Sequence, residues 1–238
     1  MRIADRRHVA NGILAGLPEN ELARIRPRFE RVDLPLGSVV HEPNAPLKHV
    51  YFPLSGIISL LNIMEDGSCG EVAVIGNEGV ESVVLFMGGE RSPSRGVVQG
   101  DLSAIRLPAR AVKEEFARGG ALQRLLLRYT QALMVQMGQT VVCNRHHTVD
   151  KQLCRWLLLS FDRMKSDHLM MTQELIANML GVRREGVTCA ARRLQEDGLI
   201  QYSRGHITLV DRPGLEQRAC ECYHVVRREY DRLLGAYT

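Results

Sequence analysis

The chain has 238 residues, enough for two modest cores, and its 45% hydrophobic and 24% charged residues with 21 Gly and 9 Pro exclude disordered and fibrous classes. A net charge of +4 does not by itself announce a polyanionic partner, although from Arg145 onward 15 Lys and Arg face 12 Asp and Glu. No apolar run approaches the roughly 20 residues that span a bilayer, Met1 to His8 lacks the apolar centre of a signal peptide, and the six scattered cysteines are expected to be thiols of a cytoplasmic protein without membrane contact.

Ile13, Leu14, Leu17, Leu22 and Ile25, arranged around the Leu17-Pro18-Glu19 break, predict two short helices between Asn11 and Arg28. From Arg31 to about Leu107 the texture changes to short β-rich runs: Ser38 to His41, His49 to Phe52, Gly56 to Leu61, Glu71 to Ile75, Val83 to Phe86 and Gly96 to Gln99. Turn residues such as Pro43-Asn44-Ala45-Pro46, Asp66-Gly67 and Gly88-Gly89 separate them. Evenly spaced short strands of this kind predict an antiparallel sandwich or jelly roll.

After Leu107-Pro108 the period becomes helical. Leu122, Leu126, Tyr129, Leu133, Gln136, Thr140 and Cys143 follow one another at alternating spacings of four and three, the spacing of a seam between two subunits. The same spacing fits a helix packed on its own sheet, and both can hold on different faces. A further amphipathic helix from His147 to Arg163 carries Leu153, Trp156, Leu157 and Phe161, with a boundary expected near Arg145 to Val149 and a polar break at Lys165 to His168.

Leu169 to Leu209 is the most informative stretch. Thr172 can cap a helix that carries Leu175, Ile176, Met179 and Leu180, and Gly181 can end it by taking positive φ. The next helix places Val187, Ala191 and Leu194 on one face and Arg184, Glu185, Thr188, Cys189 and Arg192 on another. Two short helices about a Gly-containing turn, the second of them polar, form a helix-turn-helix pattern. Asp197 to Tyr202, a turn at Ser203-Arg204-Gly205, and His206 to Leu209 then predict a hairpin wing whose Arg204 can reach phosphate.

The order of these parts resembles the Crp/Fnr family of bacterial transcription regulators over nearly the whole chain. Its strongest piece is Thr172-Gln173-Glu174-Leu175-Ile176-Ala177-Asn178-Met179-Leu180-Gly181-Val182-Arg183-Arg184-Glu185-Gly186-Val187, similar to the family signature TxxEIAxxLGxSRExV. The resemblance implies that Arg184 and Glu185 read base edges, which suits their chemistry: Arg bonds guanine bidentately and Glu accepts from cytosine. The chain departs from the family at Cys189, where a base-reading Arg is usual, and at Arg183, where Ser is usual and where a positive charge can meet phosphate. Thr172, Gln173, Arg183, Arg184, Glu185, Thr188, Cys189, Arg192 and Arg204 are therefore the expected DNA contacts.

Family members that bind cyclic AMP use a Gly-Glu segment and an Arg-Ser pair around the cyclic phosphate. Here the matching region reads Gly76 to Phe86 and then Arg91-Ser92-Pro93-Ser94-Arg95-Gly96, so that Pro93 and Ser94 fill the Arg-Ser place. Glu81, Ser82, Arg91, Ser92, Ser94 and Arg95 are the expected effector pocket. Met137 and Gly138 replace the hydroxyl residues that meet adenine, so cyclic AMP is not expected. Cys69 stands alone in its part of the chain, so no iron-sulfur cluster is expected either. Cys143, His146 and His147 share one helical face and Cys220 with His224 another; neither group offers four ligands, and no metal is expected.

An α+β protein follows: an N-terminal antiparallel β-roll, jelly-roll-like, at 1–118, a dimerisation helix at 119–147 seamed by Leu122, Leu126, Tyr129, Leu133, Gln136 and Thr140, and a winged helix-turn-helix at 148–238. The expected function is a homodimeric, sequence-specific transcription regulator on an inverted-repeat operator, with a degenerate cyclic-nucleotide-type sensor. RNA polymerase and a small-molecule effector are the further partners implied. One alternative is a redox-tuned regulator acting through Cys189 without an effector. A jelly-roll enzyme of the cupin kind is disfavoured, because the chain has no His-rich strand pair, nucleophile elbow, P-loop or dinucleotide fingerprint.

Overall fold

A computed structural model describes residues 10–164 and 166–235; the expectations placed on Met1 to His8 and on Lys165 lie outside the described residues. Asn11 starts the first helix by accepting from the backbone N–H groups of Ile13 and Leu14, which caps α1 (Gly12–Ala15), and Pro18 opens α2 (Glu19–Ile25). The two helices and the turn between them bury the predicted apolar set, Ile13, Leu14, Leu17, Leu22 and Ile25.

Strands β1 (Glu30–Leu34), β2 (Val39–His41), β3 (His49–Ile63), β4 (Cys69–Ile75) and β5 (Arg95–Pro108) form one antiparallel sheet in the order β1-β5-β3-β4, with β2 also on β5. The two predicted runs His49 to Phe52 and Gly56 to Leu61 are one strand that bends. Its register with β5 shifts between Pro53 and Ile57. Gly56 sits in that bend at φ +76°, where a Cβ would lie 2.5 Å from the Asp101 carbonyl oxygen, so only glycine lets the two backbones approach this closely. The bend curls the sheet into a roll around Phe52, Ile58, Ile75, Val98, Ala104 and Leu107.

One sequence expectation is corrected in this sheet, and one unexpected strand is added to it. Val83 to Phe86 is no strand but a short 3-10 turn at Val83–Leu85, entered through Ser82 at φ +75°. Glu30–Leu34 is an edge strand that the pattern concealed, because its charged residues Glu30, Arg31 and Asp33 give no continuous apolar face.

After α3 (Ala109–Ala117) comes the long helix α4 (Ala121–His146), whose first N–H groups, on Ala121 and Leu122, donate to the Glu21 carboxylate at 2.8 and 2.9 Å. Here the expected seam is corrected. Leu122, Leu126, Tyr129, Leu133, Gln136 and Thr140 are all buried within the single chain. Gln136 donates to the Val74 carbonyl of β4 at 3.0 Å, and Tyr129 meets Tyr230 edge to face at 6.3 Å between ring centres. The four-three set is the face that docks on the chain's own core. A second four-three stripe, Leu127, Gln131, Met134, Gly138, Val141 and Arg145, runs along the exposed side, with Met134 63% and Val141 68% exposed.

His147 and Thr148 break the helix before α5 (Val149–Met164), which is buried on almost every side. Arg163 near its end donates to Glu78 at 2.7 Å and to Gln136 at 2.9 Å and stacks over the Tyr230 ring, so that one guanidinium holds three segments together. The remainder is β6 (His168–Met170), α6 (Gln173–Leu180), α7 (Arg184–Glu196), β7 (Ile200–Ser203), β8 (His206–Leu209), α8 (Arg212–Arg218) and α9 (Glu221–Leu234), the last folding back along α4. Among the described residues no helix is long and apolar enough to cross a membrane.

Candidate nucleic-acid interface and sensor cavity

Thr172 caps α6 as expected, accepting from the Leu175 N–H, and Gly181 closes the helix at φ +66°, the left-handed conformation that frees the chain to turn into α7. Val187, Ala190, Ala191 and Leu194 anchor α7 in the core, and that fixes which side looks outward. Arg183, Arg184, Glu185, Thr188, Cys189 and Arg192 are all exposed. Thr188 donates to Gln173 at 2.6 Å, tying the two helices together across the turn. Gln173 is half-buried and Leu175 is 38% exposed.

The wing is a three-stranded sheet, β6-β8-β7, rather than the two-stranded hairpin of the sequence reading, because His168–Met170 pairs with β8. Arg204 and Gly205, at φ +49° and +84°, form the two-residue turn whose backbone twist suits a hairpin. The Gly205 carbonyl accepts from Met171 N–H at 2.7 Å, which sets the wing tip beside the Thr172 cap.

Charge distinguishes the arginines of this surface. Arg192 pairs with Glu196 and Arg193 with Asp150, both at 2.8 Å. Arg183, Arg184 and Arg204 have no carboxylate partner among the described residues. Arg183 and Arg184 sit at the N-terminal end of α7, where the helix dipole already concentrates positive potential. Two guanidiniums without an ion-pair partner there are suited to a polyanion.

On the sheet side, a cavity of about 590 Å³ opens between β3, β4, the 3-10 turn and α4. Of the expected pocket, Glu81, Ser82, Ser92 and Ser94 line it together with Pro93, and Met137, Thr140, Val141 and Asn144 close it from α4. Arg91 and Arg95 do not line it: Arg91 donates to the Asn44 carbonyl and Arg95 pairs with Glu42 at 2.7 Å. Glu81 is 1% exposed, accepts from Ser82 and lies 2.9 Å from His41 Nε2. Burial works to lower the His41 pKa, and Glu81 and Glu42 together outweigh it, so the net shift is upward. The lining holds the carboxyl groups Glu71 and Glu81 and no Lys or Arg.

The structure also gathers residues that the sequence reading kept apart. Cys143 and His147, at the end of α4, meet Cys220 and Cys222, at the start of α9, with their ligand atoms all within 4.8 Å of one another. The sequence carried the signal only in part, since Cys143 and His147 are one helical turn apart, and nothing in it told that α9 returns to that turn.

Residues 151–218 match the family model of the Crp-like helix-turn-helix domain. The Global nitrogen regulator of Synechocystis sp. is 24% identical over 186 residues, spanning 74% of this chain and 82% of that protein. Among solved structures, FixK2 from Bradyrhizobium japonicum superposes with a TM-score of 0.68 at 16% identity, covering 81% of this chain and 98% of that one. A transcriptional regulator of the CRP/FNR family from Thermus thermophilus gives a TM-score of 0.64 at 21% identity, covering 80% and 98%.

Proposed function

We propose that this chain, a member of the Crp/Fnr family and a transcription regulator with a DNA-binding helix-turn-helix, works as a homodimer that grips an inverted-repeat operator. The observation that carries the proposal is the set of three exposed, unpaired guanidiniums, Arg183, Arg184 and Arg204, at the start of α7 and at the wing tip. In this reading α7 enters the major groove, Arg184 and Glu185 read base edges, and Arg183 and Arg204 bind phosphate. Thr172, Gln173, Thr188, Cys189 and Arg192 complete the contact surface.

The dimer in this reading forms along Leu127, Met134 and Val141. Gly138 lies in the same stripe with nothing near where a Cβ would point, which leaves room for a partner helix to approach. Twofold pairing of that stripe sets two recognition helices one DNA turn apart, roughly 34 Å.

The cavity is the natural effector site, and its composition argues against a cyclic phosphodiester, which would meet two carboxyl groups and no cation there. A coupling route exists: Val141 and Asn144 line the cavity from the same turns of α4 that carry the exposed stripe. The redox alternative keeps a physical basis as well, because Cys189 is exposed on the reading face.

The test is selection of bound sequences from a random duplex library, followed by footprinting. An inverted repeat with half-sites one helical turn apart is expected. Recovery of single half-sites, or binding with no sequence preference, overturns the proposal.

A further inference from the structure

We infer that Cys143, His147, Cys220 and Cys222 form a closed four-ligand site for a single tetrahedral divalent metal ion of the zinc class, which staples the last helix to the end of the long helix. Three of the four residues are almost fully buried, and the three thiols form a cluster of their own, apart from the aliphatic core.

Distances select the chemistry. Cys143 Sγ and Cys220 Sγ are 3.6 Å apart, and Cys222 Sγ lies 3.7 Å from His147 Nδ1. Thiolates bound tetrahedrally at about 2.3 Å from zinc stand about 3.8 Å from one another, close to the separation found here. A disulfide needs sulfurs at about 2.05 Å, far shorter than this spacing. An iron-sulfur cluster needs its ligand sulfurs outside the cluster's own iron atoms, which a span of 4.8 Å does not allow. Three thiolates and one imidazole without an open position make a structural set.

The surroundings support the same assignment. His147 turns its other nitrogen, Nε2, toward the Glu221 carboxylate at 3.4 Å, the orientation by which a carboxylate fixes a metal-binding imidazole. Cys220 is the N-cap of α9 and Cys222 lies in its first turn, where backbone N–H groups favour thiolates. Arg155, 4% exposed, has a buried Nε without a partner and no carboxylate ion-pair partner among the described residues. A divalent ion held by three thiolates carries one net negative charge, the counter-charge that this buried guanidinium lacks. Each of the three sulfurs that still carries a proton gives it up to solvent on binding, with no change of oxidation state.

The site lies where the chain breaks at His147 and Thr148 before entering α5, so the ion fixes α9 against the base of the DNA-binding part. The experiment is elemental analysis of full-length protein purified reduced and without chelator. About one zinc per chain is expected, and Cys222→Ser and His147→Ala should each fall well below that while Cys69→Ser keeps it. Because a ligand variant can fail to fold, the wild type is also stripped, reduced and titrated with cobalt(II). An intense thiolate-to-cobalt absorption with the visible bands of a tetrahedral ion should appear at one equivalent, and His147→Cys should keep these bands and shift them. Wild-type protein that purifies without metal and gives no tetrahedral cobalt spectrum overturns the site. So does a Cys143–Cys220 disulfide in protein purified anaerobically.

Discussion

Trp156 on α5 donates its indole N–H to Glu71 on β4 across 2.9 Å, so the first helix of the helix-turn-helix part is bonded to a carboxyl group buried in the β-roll sheet. Ser59 donates to the other oxygen of the same carboxyl group. Burial pushes the Glu71 pKa up to about 7, against the opposing pull of Ser59, Arg155, Trp156 and Arg163.

That shift has a definite sign. The folded chain holds the Glu71 proton more tightly than the unfolded chain, so stability should fall as pH rises from about 4.5 to about 7 and stay lowered above that range. Glu71→Gln keeps an acceptor for Trp156 and cannot ionise. We expect it to flatten this part of the pH profile and to stabilise the protein above neutrality by up to about 3 kcal/mol. Urea unfolding at about pH 5 and about pH 8 checks it; parallel profiles for the two proteins would show that Glu71 does not titrate in this range.

The two faces of α4 should respond differently to charge. Met134→Glu with Val141→Glu places like charges on the exposed stripe and is expected to yield folded monomers with reduced operator affinity. Leu126→Asp with Leu133→Asp strikes the inward face and is expected to unfold the chain rather than dissociate it. Sedimentation velocity combined with circular dichroism separates the two outcomes, and a dimer that survives the outer pair would place the interface elsewhere.

Arg184→Ala is expected to weaken binding to the selected operator by about 1 to 3 kcal/mol and to relax preference at one base pair of each half-site. Arg204→Ala should instead weaken all sequences alike and lower the salt dependence. Fluorescence anisotropy across a set of operator variants distinguishes them. A uniform loss for Arg184→Ala reassigns that side chain to phosphate.

Cys189 gives the redox alternative its own test. Mild peroxide followed by operator titration should lower affinity in the wild type, reversibly with thiol, and leave Cys189→Ser unaffected. Its neighbours Arg192 and Arg193 are both committed to carboxylates, which limits the positive field that would activate the thiol. Equal peroxide sensitivity in both proteins removes Cys189 from any switch.

Local chemistry made part of this protein legible in the sequence. The Thr172 cap, the Gly181 stop, the apolar spacing of Val187, Ala191 and Leu194 and the turn at Arg204-Gly205 act within a few residues of each other, so their pattern specifies two helices and a wing without reference to the rest of the chain. Tertiary structure decided the facing of α4, because Leu126 and Leu127 both belong to four-three stripes and only packing against β4 and α9 selects which is buried. It also decided the fate of Arg91 and Arg95, whose partners Asn44 and Glu42 lie in the loop after β2. The same holds for the meeting of Cys143 with Cys220, 77 positions away along the chain. Spacing along a chain records which residues share a face, whereas the element that covers that face is set by burial of the whole apolar surface, which no short window contains.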